Sequence, residues 1–194
     1  MPPTSAFQLA SHLNLTITEK RAVKKYTDGS SLWMNRYLRQ PTLDLPDRDA
    51  RLIKKVTTLL GKAIMKSPPS TRAVTVYRAV ELMYPEWGNT SVGAILPHTR
   101  AGMVSTSFSR ASAEVFLEDD LPSCMLILTL PKGTRGLYID KEVSFYDDED
   151  ELLLPHGSLF RVTKRSFIRH KGKQVLAYYA RLVSQAKMRR PRPI

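Results

Sequence analysis

The chain has one cysteine, Cys124, in 194 residues. It cannot close an internal disulfide or build a zinc site from thiols, and a reducing compartment suits it. Long apolar runs are missing: none approaches the roughly 20 residues that a membrane helix needs. The opening segment MPPTSAFQLASHLN has no charged n-region, which argues against a Sec-type leader. The four histidines, His12, His98, His156 and His170, fall in no H-x-x-H or H-E-x-x-H spacing. No Gly-rich phosphate loop of the Walker or Rossmann kind is present. Acidic residues stop altogether after Glu151.

What is there suffices for a folded domain. Apolar residues make up 42% of the chain and charged ones 25%, so a wholly disordered chain is excluded. The length favours one domain. The net charge of +12 is placed unevenly. Residues 152–194 carry eleven Lys and Arg and no Asp or Glu; the first 151 residues hold nineteen basic against eighteen acidic. Residues 185–194 read as a disordered basic tail, able to steer the protein to nucleic acid or to an acidic protein face. The tail has no interleaved aromatics, so base stacking by it is not supported. Just before the basic part comes the run Asp147, Asp148, Glu149, Asp150, Glu151. Five adjacent carboxylates repel one another and predict either a solvated turn or a site with a cationic partner.

The patterning predicts a flexible N-terminus over 1–15 and a single domain over 16–184, helical over 16–69 and strand-rich over 70–184. Thr18 is read as the cap of a first helix, with Ala22, Val23 and Tyr26 at near-helical spacing. Asp28, Gly29 and Ser30 break it. A second apolar stripe takes in Leu32, Trp33, Tyr37 and Leu38. Asp47 or Asp49 caps a third helix whose face includes Leu52, Ile53, Val56, Leu59, Leu60 and Ile64, and Pro68-Pro69 ends it. Strands are expected over 73–77, 103–108, 125–130, 151–154, 159–164 and 175–183, with one helix around 112–117 and turns at 87–89, 131–133 and 156–157. Helices first and short strands after them imply an α+β domain with a mainly antiparallel sheet.

Few residues are left that could do chemistry. Cys124 lies inside an apolar strand pattern, where a buried, inert thiol is expected. Arg78 closes a strand, Ser105-Thr106-Ser107 occupies another, and Glu149 and Glu151 flank Asp150 ahead of a Leu-Leu-Leu-Pro run. In this order the elements resemble the mono-ADP-ribosyltransferase superfamily, in the branch with an Arg, a Ser-Thr-Ser and a Glu-x-Glu, and within it the bacterial exoenzyme toxins and related phage-encoded transferases. Val76-Tyr77-Arg78 is similar to the family's Arg strand, and Gly102-Met103-Val104-Ser105-Thr106-Ser107 to its Gly-x-x-Ser-Thr-Ser strand. Phe116 stands where the family often places an aromatic that stacks on nicotinamide. Glu149-Asp150-Glu151, followed by Pro155-His156-Gly157, resembles its Glu-x-Glu strand and Pro-x-Gly turn. Tyr26-Thr27 and Asn35-Arg36-Tyr37-Leu38-Arg39 resemble its helix entering the NAD cleft. Ser31 stands where related toxins often carry a second Tyr. The resemblance spans about residues 20–165 and implies a split, two-sheet domain around an NAD cleft.

The residue types suit that chemistry. NAD carries a pyrophosphate and a glycosidic bond to a cationic ring. Arg78 offers a planar donor fork for phosphate, or else is a surface Arg with a buried stem. Ala79 stands where the family commonly has Gly, and its backbone would face the nicotinamide amide. Breaking the bond builds positive charge on the ribose, which the carboxylate of Glu151 would stabilise, and the resemblance gives Ser105 the role of orienting it. The resemblance has Thr106 and Ser107 supporting the ribose and the cleft wall; by themselves, alternating hydroxyls are ordinary sheet residues. Family members that modify arginine have Glu at the position of Glu149, and those that modify asparagine have Gln. A guanidinium needs an anionic partner to bind and to lose a proton. Phe145 and Tyr146 fall in the family's substrate-recognition loop; they either touch the target or pack on the core.

The leading expectation is an enzyme of the pentosyltransferase class that moves ADP-ribose from NAD, with no metal, to arginines of a host target protein. The target would be a nucleic-acid-associated transcription or translation protein, met in the host cytoplasm by a toxin, effector or phage protein acting as a monomer, with no membrane. The alternatives are an idle nucleic-acid-binding module that uses the basic C-terminal surface, and an NAD glycohydrolase without a protein acceptor.

Overall fold

The structure is a computed structural model that describes residues 7, 14–40, 44–81, 90–96, 102–117, 122–140, 143–145 and 151–185. The turn expected at 87–89 and the tail beyond 185 lie outside the described residues.

Helix α1 (Ile17–Lys25) begins with a capping box, in which Glu19 N donates to Thr16 Oγ1 and Thr16 N donates to Glu19 Oε2. The cap is therefore Thr16 and not Thr18. The box needs a Glu or Gln three residues on, which Thr16 has in Glu19 and Thr18, facing Arg21, does not. Lys66 Nζ reaches the same carboxylate at 2.7 Å and ties α1 to the end of α3. The chain kinks over Tyr26–Ser30, where Gly29 takes φ +91° and Asp28 accepts from the backbone and hydroxyl of Ser30. That kink resets the phase of α2 (Ser31–Arg39). Met34 and Asn35 point inward, while Leu32 and Trp33, expected on the buried stripe, are 68% and 57% exposed. Helix α3 (Asp47–Lys66) has Pro46 at its cap position with no side-chain cap. Asp47 and Asp49 lie in the first turn instead, where their charge suits the helix dipole. Its buried face is Ile53, Val56, Leu60, Ala63 and Ile64, with Leu52 outside it.

Seven strands follow: β1 (Val74–Glu81), β2 (Val104–Ser107), β3 (Ser123–Leu130), β4 (Leu137–Ile139), β5 (Glu151–Leu154), β6 (Leu159–His170) and β7 (Lys173–Ser184). A short helix, α4 (Arg110–Glu114), capped by Ser109, lies between β2 and β3. The expected strands are all present. β4 is an addition: three residues are too few to show a period. The sheet order is β4-β5-β2-β1-β3-β7-β6, and among these neighbours β3 and β7 alone run parallel. The two halves, β4-β5-β2 and β1-β3-β7-β6, join through one register pair, Tyr77 opposite Ser107. The α+β class and the mainly antiparallel pairing are as the strand pattern implies; where the resemblance implies two sheets, the described strands form one seven-stranded sheet that divides at this single pair.

Alternation decides what each face covers. Val74, Val76, Val104, Leu126, Leu152 and Leu154 form the central core with Phe160 and Tyr178. Phe7 joins it, with its ring centroid 5.9 Å from that of Phe108, and Leu15 is buried with the helices, so both of these residues of the segment expected to be flexible are packed. On the opposite face the three long helices cover Met103, Leu137, Ile139 and Leu153, and α4 covers Met125 and Ala177. Cys124 is buried in β3, and that burial pushes its thiol up to about 12, as expected for an inert residue.

Candidate active site

Glu151 is the first residue of β5, and the register sets it opposite Ser107 on β2 and Ile139 on β4. Tyr77, Ser107, Glu151 and Ile139 thus form one row across four strands. Ser105, two residues from Ser107, shares its side of β2. This is the side that the helices cover, so the carboxylate enters a space between sheet and helices. Its Oε1 is closed off from solvent.

Beside that row the two halves of the sheet part. With only Tyr77 and Ser107 in register, β1 leaves β2 just before Arg78. The Arg78 side chain spans the gap, its Nη1 donating to Ser105 O at 2.7 Å. The guanidinium is thereby held at the division of the sheet with the rest of its donor fork uncommitted to that bond.

Tyr26, buried at the kink after α1, faces the same space. Burial, and then the negative charge of Glu151, push its phenol well above the ordinary value, while Arg78 and Arg39 act in the opposite direction. Those charges place Glu151, Arg78 and Arg39 within electrostatic reach of one hydroxyl. Asn35 Nδ2 donates to Tyr26 Oη at 3.0 Å, and Asn35 Oδ1 accepts from Met103 N at 2.8 Å. One residue earlier, Gly102 N donates to His156 Nδ1 at 2.9 Å, which makes His156 a neutral acceptor there. Burial holds the imidazole below its usual value. Gly102 takes φ +106°, and a Cβ on it would meet Asn35 Oδ1 at 2.9 Å, so glycine is required on both counts.

Glu151, Arg78, Ser105 and Tyr26 lie around one space. Asn35 also lies here, but buried between Tyr26 and Met103, so it fastens α2 to the start of β2. Thr106 is a correction. Strand alternation turns it to the other face, where it is buried and its Oγ1 donates to Leu152 O at 2.8 Å, and so it does not line the cleft. Ser107 Oγ accepts from Ser109 N at 3.0 Å and shapes the turn into α4. Ala79 lies on β1 next to Arg78, with its side chain against the small cluster under α4. Phe116 is 67% exposed just after α4, open to a ligand. Phe145 is exposed, and its backbone N–H donates to Thr27 Oγ1 at 2.9 Å. Glu149 and Tyr146 lie outside the described residues.

Two residues of the site fall within motifs read from the sequence but were given no role of their own. Arg39 lies one helical turn after Asn35, a spacing that puts both on one face of α2 and could have flagged it. His156 sits in the Pro-His-Gly turn, but no sequence pattern reveals that its ring meets the Gly102 amide.

The sequence matches the ADP-ribosyltransferase exoenzyme family over residues 6–185. The chain belongs to that family. Among solved structures, Plx2a, an ADP-ribosyltransferase toxin from Paenibacillus larvae, is 25% identical with a TM-score of 0.74, over 94% of this chain and 93% of that one. C3larvin toxin, an ADP-ribosyltransferase from the same organism, is 26% identical with a TM-score of 0.66, over 89% and 90%. C3stau2 from S. aureus, solved with NAD, shares the fold at 23% identity and a TM-score of 0.66, over 92% and 93%. No curated protein matches the chain significantly in sequence.

As a family member the chain is an ADP-ribosyltransferase with NAD as co-substrate. The site fits that molecule. Arg78 and Arg39 would provide guanidinium groups for a pyrophosphate, and the carboxylate of Glu151, with one oxygen closed off from water at the head of β5, suits a centre that gains positive charge. Among the described residues no three His, Cys, Asp or Glu side chains gather into a metal site, and no helix is long and apolar enough to cross a membrane.

Proposed function

We propose that the enzyme transfers ADP-ribose from NAD to arginine side chains of a target protein, releasing nicotinamide, and that it does so as a toxin, effector or phage product. Glu151 stabilises the positive charge that develops on the ribose as its bond to the nicotinamide breaks, and with one carboxylate oxygen shielded from solvent this stabilisation is less screened by water than on an open surface. Arg78 holds phosphate, with Arg39 as a second cation. Ser105 orients the Glu151 carboxylate, and Phe116 covers the nicotinamide ring.

The acceptor rests on Glu149, two residues before Glu151. It supplies the anion that binds a guanidinium and takes its proton as the nitrogen attacks. Asp147, Asp148 and Asp150 extend the negative patch, and Phe145 and Tyr146 lie next to it in sequence. Plx2a and C3larvin are toxins by description, which supports the toxin-like role.

The test follows label from NAD into poly-arginine alongside nicotinamide release. Glu149→Gln should lower arginine labelling by about 100-fold or more while leaving nicotinamide release within a few-fold of the parent enzyme. Undiminished labelling of arginine in that variant, or modification mapped by mass spectrometry to another residue type, rejects the arginine reading.

A further inference from the structure

The β6–β7 hairpin, residues 159–184, contains seven Lys and Arg and no Asp or Glu. β6 stands at the end of the sheet order. Its first part is covered by residues 93–96, through Gly93 N to Val162 O, Val162 N to Ala94 O and Leu96 N to Phe160 O, each 2.8 Å. The register shifts between Val162 and Lys164, and beyond it the strand continues to His170 with β7 as its described neighbour. After the shift Arg165, Phe167 and Arg169 share one face, opposite Tyr178, Leu176 and Gln174. The Arg165 guanidinium lies 6.0 Å from the Tyr178 ring centroid, and Phe167 is 61% exposed.

Cations on an edge strand discourage pairing with other chains, and that accounts for Lys164, Arg165 and Arg169. It does not account for Phe167, since a guarded edge does not present a bare aromatic. The spacing makes sense as a recognition surface. Two guanidinium groups stand about 13 Å apart along the strand, with a flat ring midway. Guanidinium forks fit phosphate, and an exposed ring fits the face of a base. In a duplex those faces are hidden by stacking and pairing, so the ring selects unpaired strands.

We propose that this face of the hairpin binds single-stranded nucleic acid, with Phe167 stacking on a base and Arg165 and Arg169 holding flanking phosphates. The surface would carry the enzyme to targets that work on nucleic acid, and it stands whether or not the acceptor is arginine.

The full chain is titrated, by fluorescence anisotropy at low salt, into a labelled ten-nucleotide single-stranded RNA, its duplex form and labelled poly-glutamate. Phe167→Ala should weaken single-strand binding about 5- to 100-fold and leave duplex binding unchanged. Arg165→Gln with Arg169→Gln should also weaken it, and should reduce the log–log salt slope by about 1.4. Nicotinamide release should be unaltered in both variants, which shows that each is folded. Single-strand binding indifferent to Phe167 overturns the proposal, as does the absence of binding. Poly-glutamate binding that depends on Phe167 to the same degree would assign the surface to an acidic protein and overturn it as well.

Discussion

Asn35 uses its side-chain amide in two directions, and both ends are buried. Leu in its place would leave the Tyr26 hydroxyl and the Met103 N–H without the partners they have now. An unsatisfied buried group costs about 1–3 kcal/mol. Asn35→Leu should therefore destabilise the fold by about 2–5 kcal/mol in urea unfolding, and Tyr26→Phe by only about 1 kcal/mol. Equal losses in the two variants would mean that the link to Met103 carries nothing. At this scale the sequence was partly legible. Arg78, Ser105 and Glu151 could be picked out because each falls in a motif whose order resembles that of the family, and the fold sets them around one space. The role of Asn35 was not legible, because a buried amide interrupts the apolar stripe that marks a helix face. Thr106 was misplaced for the opposite reason: it belongs to a hydroxyl triplet, but alternation sends its middle member to the other side of the sheet.

Among the elements, α1 depends on its first turn. Thr16→Ala removes half of the capping box and should lower stability by about 1 kcal/mol in thermal unfolding, whereas Thr18→Ala should stay within about 0.5 kcal/mol of the parent. If Thr18 proves the costlier site, the helix starts where the sequence alone suggested. Strands were legible from their β-branched alternation, and β5 was placed to the residue. The phase of α2 was not, because Gly29 allows a kink whose angle no periodicity records. The division of the sheet between β1 and β2 was legible through the family resemblance alone, since no periodicity records how two distant strands diverge after a single shared pair.

For the whole molecule, acid should act in two stages. Burial lowers the folded pKa of His156 below its ordinary value of 6.5, so the unfolded chain takes up that proton first. Stability is then complete above about pH 6.5 and declines as the pH falls toward the folded pKa, where protonation also removes the acceptor for Gly102 N–H. Glu19 belongs to a lower window. Its burial would raise its pKa, but the Lys66 ammonium and the Thr16 donors hold it below 4.5, so the tie between α1 and α3 is lost only in stronger acid. Urea unfolding followed against pH should show the upper stage in the parent and not in His156→Leu; a decline unchanged by that substitution would assign it to other groups. The fold as a whole was legible because helices precede strands and the motifs keep their order. The packing of Phe7 on the core was not, since one aromatic in a polar leader carries no pattern. The proposed transfer rests above all on the Glu151 carboxylate at the head of β5. Its most direct test is the rate of nicotinamide release from NAD by Glu151→Gln, an isosteric change that removes the charge. A fall of about 100-fold or more with unaltered unfolding is predicted; release within a few-fold of the parent enzyme would contradict the role given to this residue.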